Sequence, residues 1–202
     1  MFTVGDEKAA AARKPRADAQ RNRIRLLETA KAAFAEKGPG ASLDEIARTA
    51  GVGAGTLYRH FPTRDTLIEA VYRNETDQLV TAATRLAETQ SPVGALREWL
   101  LVFVDYMAAK QGMYAALNSL VGGTSELYSA SSDQMKRALA MLFDRAVASG
   151  DIRPDIEPFD LLRALAGVAN IGAGADAKQA AKRMVDILVA GMQIRKATSS
   201  ID

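Results

Sequence analysis

The stretch from Ser42 to Leu67 reads SLDEIARTAGVGAGTLYRHFPTRDTL. Ser42 stands three residues before Glu45, the spacing of a capping box, in which the hydroxyl accepts from the Glu45 amide and the Glu45 side chain reaches back. Leu43, Ile46, Ala47 and Ala50 share one face of a short predicted helix. Gly51 suits the left-handed residue that ends such a helix. A further short helix is predicted from about Gly53 to His60, with Leu57 and Phe61, four apart, turned inward. Pro62 breaks it and Thr63 can cap the next. Two short helices joined by a tight turn, often with glycine, form a helix-turn-helix. Any all-α protein holds helix–glycine–helix corners. A corner that docks on DNA also needs a small leading end on its second helix and polar flanks for phosphates. Gly53-Ala54-Gly55 supplies the first; Thr56, Tyr58, His60 and Arg64 supply the second.

Around this stretch the chain reads as helical throughout, an all-α fold. Residues 1–18 are rich in Ala and charge and are expected to be a flexible basic arm. From about Ala19 to Lys37, Ile24, Leu27, Ala30 or Lys31 and Phe34 recur at helical spacing, and Gly38-Pro39-Gly40 stops the pattern. After Thr63 a long helix is predicted to about Glu88. Ser91-Pro92 is a cap with a first-turn proline, followed by Leu96, Trp99, Leu100, Phe103 and Met107 on one face. Gly112 and Gly122-Gly123 bracket a short apolar segment. Helices are predicted over about 125–149, 159–171 and 177–196, with DIRPDIEP as a connector. The expected organisation is a three-helix helix-turn-helix domain over 19–64, a helical effector-binding and dimerisation domain over 65–196, and a disordered tail over 197–202.

Composition narrows the function classes. No cysteine is present among 202 residues, which excludes a disulfide scaffold and a thiol nucleophile. The single histidine, His60, has no second histidine or cysteine to share a metal, so no metal site and no cofactor are expected. The N-terminus lacks the apolar core of a secretory signal, and the longest apolar runs are too short to span a bilayer. A cytoplasmic protein with no membrane partner is the expectation. Net charge is +2, but it is unevenly spread: residues 1–64 hold 12 Lys/Arg against 7 Asp/Glu, and residues 65–202 hold 14 against 17. Arg13, Lys14 and Arg16 lie in the arm. Such a run is either a solvated tail or a phosphate-seeking arm.

SLDEIARTAGVGAGTLYRHFPTRDTLIEAV resembles the DNA-binding signature of the TetR family of bacterial transcriptional regulators. The likeness covers residues 19–72 and rests on Ser42, Ile46-Ala47, Ala50-Gly51-Val52, Thr56-Leu57-Tyr58, Phe61 and Leu67. It implies a homodimer on a palindromic double-stranded DNA operator, a repressor released by a small-molecule effector. Ser42, which caps the unit, is counted with the DNA-binding residues, as are Arg13, Lys14 and Arg16; by the same resemblance, Thr56, Tyr58, His60 and Arg64 meet phosphates, and Ala54, Gly55 and Arg59 face bases. The chain departs from the commoner family pattern at Gly53, where a capping Ser is frequent, and at Ala54, where a longer polar residue often sits.

Tyr106 and Lys110 match the Tyr-x-x-x-Lys pair of short-chain dehydrogenases, but the glycine-rich turn after a strand that such chemistry needs is missing from the sequence, so no enzyme is expected. The middle helices carry large adaptable side chains with a few polar groups, the composition of a ligand pocket in a helical bundle. Trp99, Phe103, Tyr106, Met107, Tyr114, Leu117, Asn118, Tyr128, Met135 and Asn170 are the expected lining of an effector pocket; a packed core is the plainer reading of each. Leu162, Leu165, Val168, Ala181, Met184, Val185, Leu188 and Met192 give the last two helices apolar faces, which the resemblance assigns to a dimer interface. The other function class is a helical small-molecule-binding protein without sequence-specific DNA binding.

Overall fold

A computed structural model of the chain describes residues 4–153, 155–171 and 174–194, with side chains from Ala17 onward. The described residues form nine α-helices: α1 (Val4–Lys37), α2 (Leu43–Thr49), α3 (Ala54–His60), α4 (Arg64–Thr89), α5 (Pro92–Gly112), α6 (Tyr114–Leu117), α7 (Ser125–Ala148), α8 (Pro158–Ile171) and α9 (Gly174–Met192). A 3-10 turn over Gly38–Gly40 follows α1. The all-α expectation is met. The first helix starts at Val4 and not near Ala19, so the backbone of the stretch read as an arm is helical from Val4.

The chain forms two compact units. One comprises residues 1–74 and 112–124; the other comprises 75–111 and 125–202. The boundary therefore falls inside α4, later than residue 64, and a short piece from mid-chain returns to the first unit.

In the first unit, Leu26, Leu27, Ala30 and Phe34 of α1 are buried with Ile46, Leu57, Phe61, Leu67 and Ile68. Ile24, expected on the inward face of α1, is 49% exposed, and Leu26 is buried in its place. The stripe through residues 27, 30 and 34 continues backward through 23 and 26, and Ile24 lies roughly 100° round the helix from its centre. Gly38 (φ +57°) turns the chain at the end of α1, and a Cβ there would sit 3.5 Å from Ala115. Gly112 leaves 3.2 Å between a built Cβ and that of Ala35. The Val121 amide donates to Asp65 Oδ2 at 3.1 Å. These contacts fix the returning segment 112–124.

In the second unit, Trp99 is wholly enclosed and its indole N–H donates to the Leu79 carbonyl at 2.9 Å. The Ser91 hydroxyl caps α5, accepting from the Gly94 amide at 3.3 Å. Gly150 (φ +73°) follows the end of α7. The connector beyond it is pinned to the end of α9: Arg153 N–H donates to Met192 O at 3.0 Å, and Ile194 N–H to Asp151 O at 2.9 Å. Arg97 pairs with Asp186 at 2.7 Å, and Lys178 and Lys182 both reach Asp105, at 3.0 and 3.2 Å. Among the described residues no helix is long and apolar enough to cross a membrane.

Candidate nucleic-acid interface

The helix-turn-helix is built from local signals that the structure satisfies one by one. The Ser42 hydroxyl accepts from the Glu45 amide at 3.3 Å, taking up one of the donors that a helix start leaves without an intrahelical partner. The other half of the expected capping box is different. Glu45's carboxylate meets Lys37 Nζ at 2.8 Å, tying the end of α1 to the first turn of α2. That bond holds the Glu45 carboxyl below the usual carboxylate range and raises Lys37. Both groups are exposed, so the pair adds little to stability. Nothing in the local pattern of α2 signals it, because the partners come from different helices.

Gly51 takes φ +65°, a conformation costly for a residue with a Cβ. Its amide donates to Arg48 O at 3.1 Å, and the Val52 amide to Ala47 O at 2.9 Å, which closes α2 and turns the chain. Gly53 is the N-cap of α3 with extended backbone and no side-chain cap. The helix is held by Leu57 and Phe61, both buried as expected. The Arg23 guanidinium lies over the Phe61 ring at 5.4 Å, a cation–π contact that sequence reading missed. Thr63 caps α4: its Oγ1 accepts from the Thr66 amide at 3.1 Å, and Thr66 Oγ1 accepts from the Thr63 amide at 3.1 Å.

With its two apolar anchors inward, α3 turns a bare face outward. Ala54, Gly55, Tyr58 and Arg59 are exposed, Tyr58 to 44%. Thr56 and His60 are half-buried at its margins. A Cβ added at Gly53 or Gly55 would meet no protein atom within 4 Å. Arg64 is half-buried and donates through Nη1 to the Ala41 carbonyl at 2.6 Å, so part of its guanidinium braces the chain entering α2. On the outer face of α1, Arg25 donates to Asn22 Oδ1 at 2.6 Å and Arg21 pairs with Asp18. Arg13, Lys14 and Arg16 carry side chains outside the described residues.

The residues expected to line an effector pocket divide. Trp99, Phe103 and Tyr106 stack along α5, with ring centroids 6.2 and 6.1 Å apart. Met107, Tyr128 and Met135 are half-buried. These six belong to the second unit, as does Asn170, which is exposed on α8. Tyr114, Leu117 and Asn118 belong to the first unit, in the returning segment. Trp99 and Leu117 have no exposed surface. A groove of about 570 Å³ in the second unit is lined by other residues, among them Asp77, Thr81 and Thr84 of α4 and Gln134, Arg137 and Met141 of α7.

An exposed, nearly featureless helix face, carried on a capped two-helix corner beside a basic first helix, defines a helix-turn-helix DNA-binding module. Comparison with known proteins gives its family. Residues 26–71 match the model of the tetR family of bacterial regulatory proteins, and residues 91–194 match that of the SbtR-like transcriptional regulator C-terminal domain. A TetR transcriptional regulator from Streptomyces coelicolor is 43% identical, with a TM-score of 0.79 over 86% of this chain and 99% of that one. A TetR regulator from Mycobacterium vanbaalenii is 33% identical, with a TM-score of 0.72 over 89% and 99%. An HTH-type transcriptional regulator of Staphylococcus aureus is 30% identical over 69% of this chain and 76% of its own length. The chain belongs to the TetR family of DNA-binding transcriptional regulators.

Proposed function

We propose that the protein is a ligand-responsive repressor acting as a homodimer on a palindromic operator. The observation that carries this reading is the outer face of α3, where Ala54, Gly55, Tyr58 and Arg59 are exposed while the anchors Leu57 and Phe61 are buried. An α-helix of about 10–12 Å diameter fits the roughly 12 Å major groove of B-DNA. Tyr58, Thr56 and His60 serve phosphates at the margins, with the unbraced donors of Arg64 beside them. Arg59 is the long donor on the exposed face, and its natural partner is guanine O6 and N7. Ala54 offers a methyl to thymine, and Gly55 admits close approach. Arg13, Lys14 and Arg16 add phosphate or minor-groove contacts ahead of these, where a narrow A·T-rich groove attracts arginine.

The dimer forms through α8 and α9. Leu162, Leu165, Ala181, Val185 and Met192, expected in that interface, are buried in their own unit, and Val168, Met184 and Leu188 are half-buried. A second set faces outward at helical spacing: Ala164, Gly167 and Ile171 on α8, and Ile187, Gly191 and Ile194 along α9 and just past its end. Ile171 is 87% exposed and Ile187 63%. Small and branched apolar residues repeating every three or four positions suit a close helix–helix contact. A two-fold dimer of this kind sets its reading helices about 34–36 Å apart, one turn of DNA. The effector binds in the second unit and shifts the dimer away from that spacing. A small molecule that prefers the DNA-incompatible state is bound less tightly by operator-bound protein, by the same factor.

The test is fluorescence anisotropy with DNA from upstream of the protein's own gene, against excess nonspecific competitor. Saturable binding to a site with two-fold symmetry is the expected result. Binding that competitor DNA removes at equal concentration sinks the reading and leaves a helical ligand-binding protein without sequence-specific DNA recognition.

A further inference from the structure

The helix α5 carries four charged residues, Arg97, Glu98, Asp105 and Lys110. Arg97 pairs with Glu98 at 2.6 Å and with Asp186 at 2.7 Å, and Asp105 is engaged by Lys178 and Lys182. Among the described residues, no carboxylate pairs with Lys110. Its ammonium instead sits 4.0 Å from the centroid of the Tyr128 ring on α7. The side chain is half-buried, and burial pushes its pKa down with no neighbouring charge to raise it. A ring face compensates an ammonium only in part, and a desolvated cation without a counter-charge is unfavourable. Trp99, Phe103, Tyr106 and Lys110 are spaced four, three and four apart, so the cation ends the stacked aromatic stripe of α5.

We propose that Lys110 is the anion-binding residue of the second unit and that the effector is a small organic carboxylate with an apolar or aromatic body, its charge on Lys110 beside Tyr128. This rests on reading the second unit as effector-binding. One ammonium matches a monoanion; a phosphate dianion is better served by an arginine fork or several amide donors.

The experiment uses the full chain and three matched probe pairs: benzoate and benzamide, indole-3-acetate and indole-3-acetamide, decanoate and decanamide. Calorimetry is expected to show a carboxylate binding at least tenfold more tightly than its amide. Lys110→Met is expected to erase that difference and Lys110→Arg to keep most of it. Lys110→Gln replaces the Met variant if that variant folds poorly. The proposal is overturned if no carboxylate of the set binds, if the amides bind equally, or if the preference survives loss of the charge. Operator affinity measured with each probe separates the two readings. A carboxylate held by Lys110 that leaves DNA binding unchanged keeps the anion site and removes its effector role. An amide that releases DNA keeps the effector role and removes the anion site.

Discussion

The short helix α3 and the long helix α9 solve opposite problems. The seven residues of α3 carry one buried apolar anchor, Leu57, with a second, Phe61, just past the helix end, and the residues that face out are Ala54, Gly55, Tyr58 and Arg59. Its partner surface is the part that is not apolar. In α9, Ala181, Val185, Val189 and Met192 are buried, yet Ile187 stands out in solvent on another side. The surface proposed for its partner protomer is the part that is apolar in excess of what its own unit needs. A helix that meets nucleic acid must keep its outer face hydrated and free of bulk; a helix that meets another protein must present hydrocarbon. The same periodicity therefore carries two different messages, and only the state of the face opposite the core tells them apart.

Several substitutions sharpen this contrast, beginning with the one of largest effect. Trp99→Ala removes an enclosed ring and its bond to Leu79. It should destabilise the second unit by about 3–5 kcal/mol, read as an earlier midpoint in chemical unfolding. Leaving the midpoint unmoved would show that the enclosed site is not core. Next, Ile187→Glu should weaken the dimer by at least 100-fold, about 2.7 kcal/mol, while leaving the helical signal intact. Sedimentation that finds an undiminished dimer removes the outward stripe of α8 and α9 as the interface.

On the DNA side the expected effects are smaller and differ in kind. Tyr58→Ala should lower affinity for specific and nonspecific DNA alike, because a phosphate contact carries no sequence information. Arg59→Ala should relax preference at one G·C pair per half-site, by roughly 1–3 kcal/mol. If Tyr58→Ala instead lost specificity at constant nonspecific affinity, the two roles are exchanged. Removing residues 1–17 should reduce the salt dependence of binding by about one unit of slope for each phosphate that is no longer neutralised. An unchanged slope would make that stretch a bystander.

The smallest effect belongs to the exposed pair Lys37–Glu45. A carboxyl whose pKa is lowered in the folded state lends stability above its unfolded pKa, and this is lost as pH falls through the folded value. Glu45→Gln should therefore lower the melting midpoint slightly at neutral pH, and the difference should shrink toward zero as pH falls through the lowered folded pKa of Glu45. A difference that persists unchanged at low pH would assign the effect to packing.

Much of the DNA-facing corner was legible because its signals are local. Ser42 and the Glu45 amide are three residues apart, Gly51 turns the chain by its own dihedral, and Leu57 and Phe61 are one helical turn apart. Each of these is decided within four residues, and each appears in the structure where the pattern placed it. The expected pocket was less legible. Size and composition alone point to its ten residues, and three of them, Tyr114, Leu117 and Asn118, belong with the first unit. Aromatic and methionine side chains fill cores and line cavities with equal ease, so composition alone does not separate the two.

The sequence by itself determined the all-α class, the capped helix-turn-helix with its inward and outward residues, the starts of α4 and α5, and the resemblance that names the family. Tertiary structure alone decided that Leu26 and not Ile24 is buried, that segment 112–124 joins the first unit, that Lys37 takes the carboxylate of Glu45, which side of α8 and α9 is core, and that Lys110 ends the aromatic stripe of α5 without a paired carboxylate among the described residues. The reason is that periodicity and caps fix which side of a helix is apolar through interactions a few residues long. What that side packs against depends on residues tens of positions away, which no local pattern records.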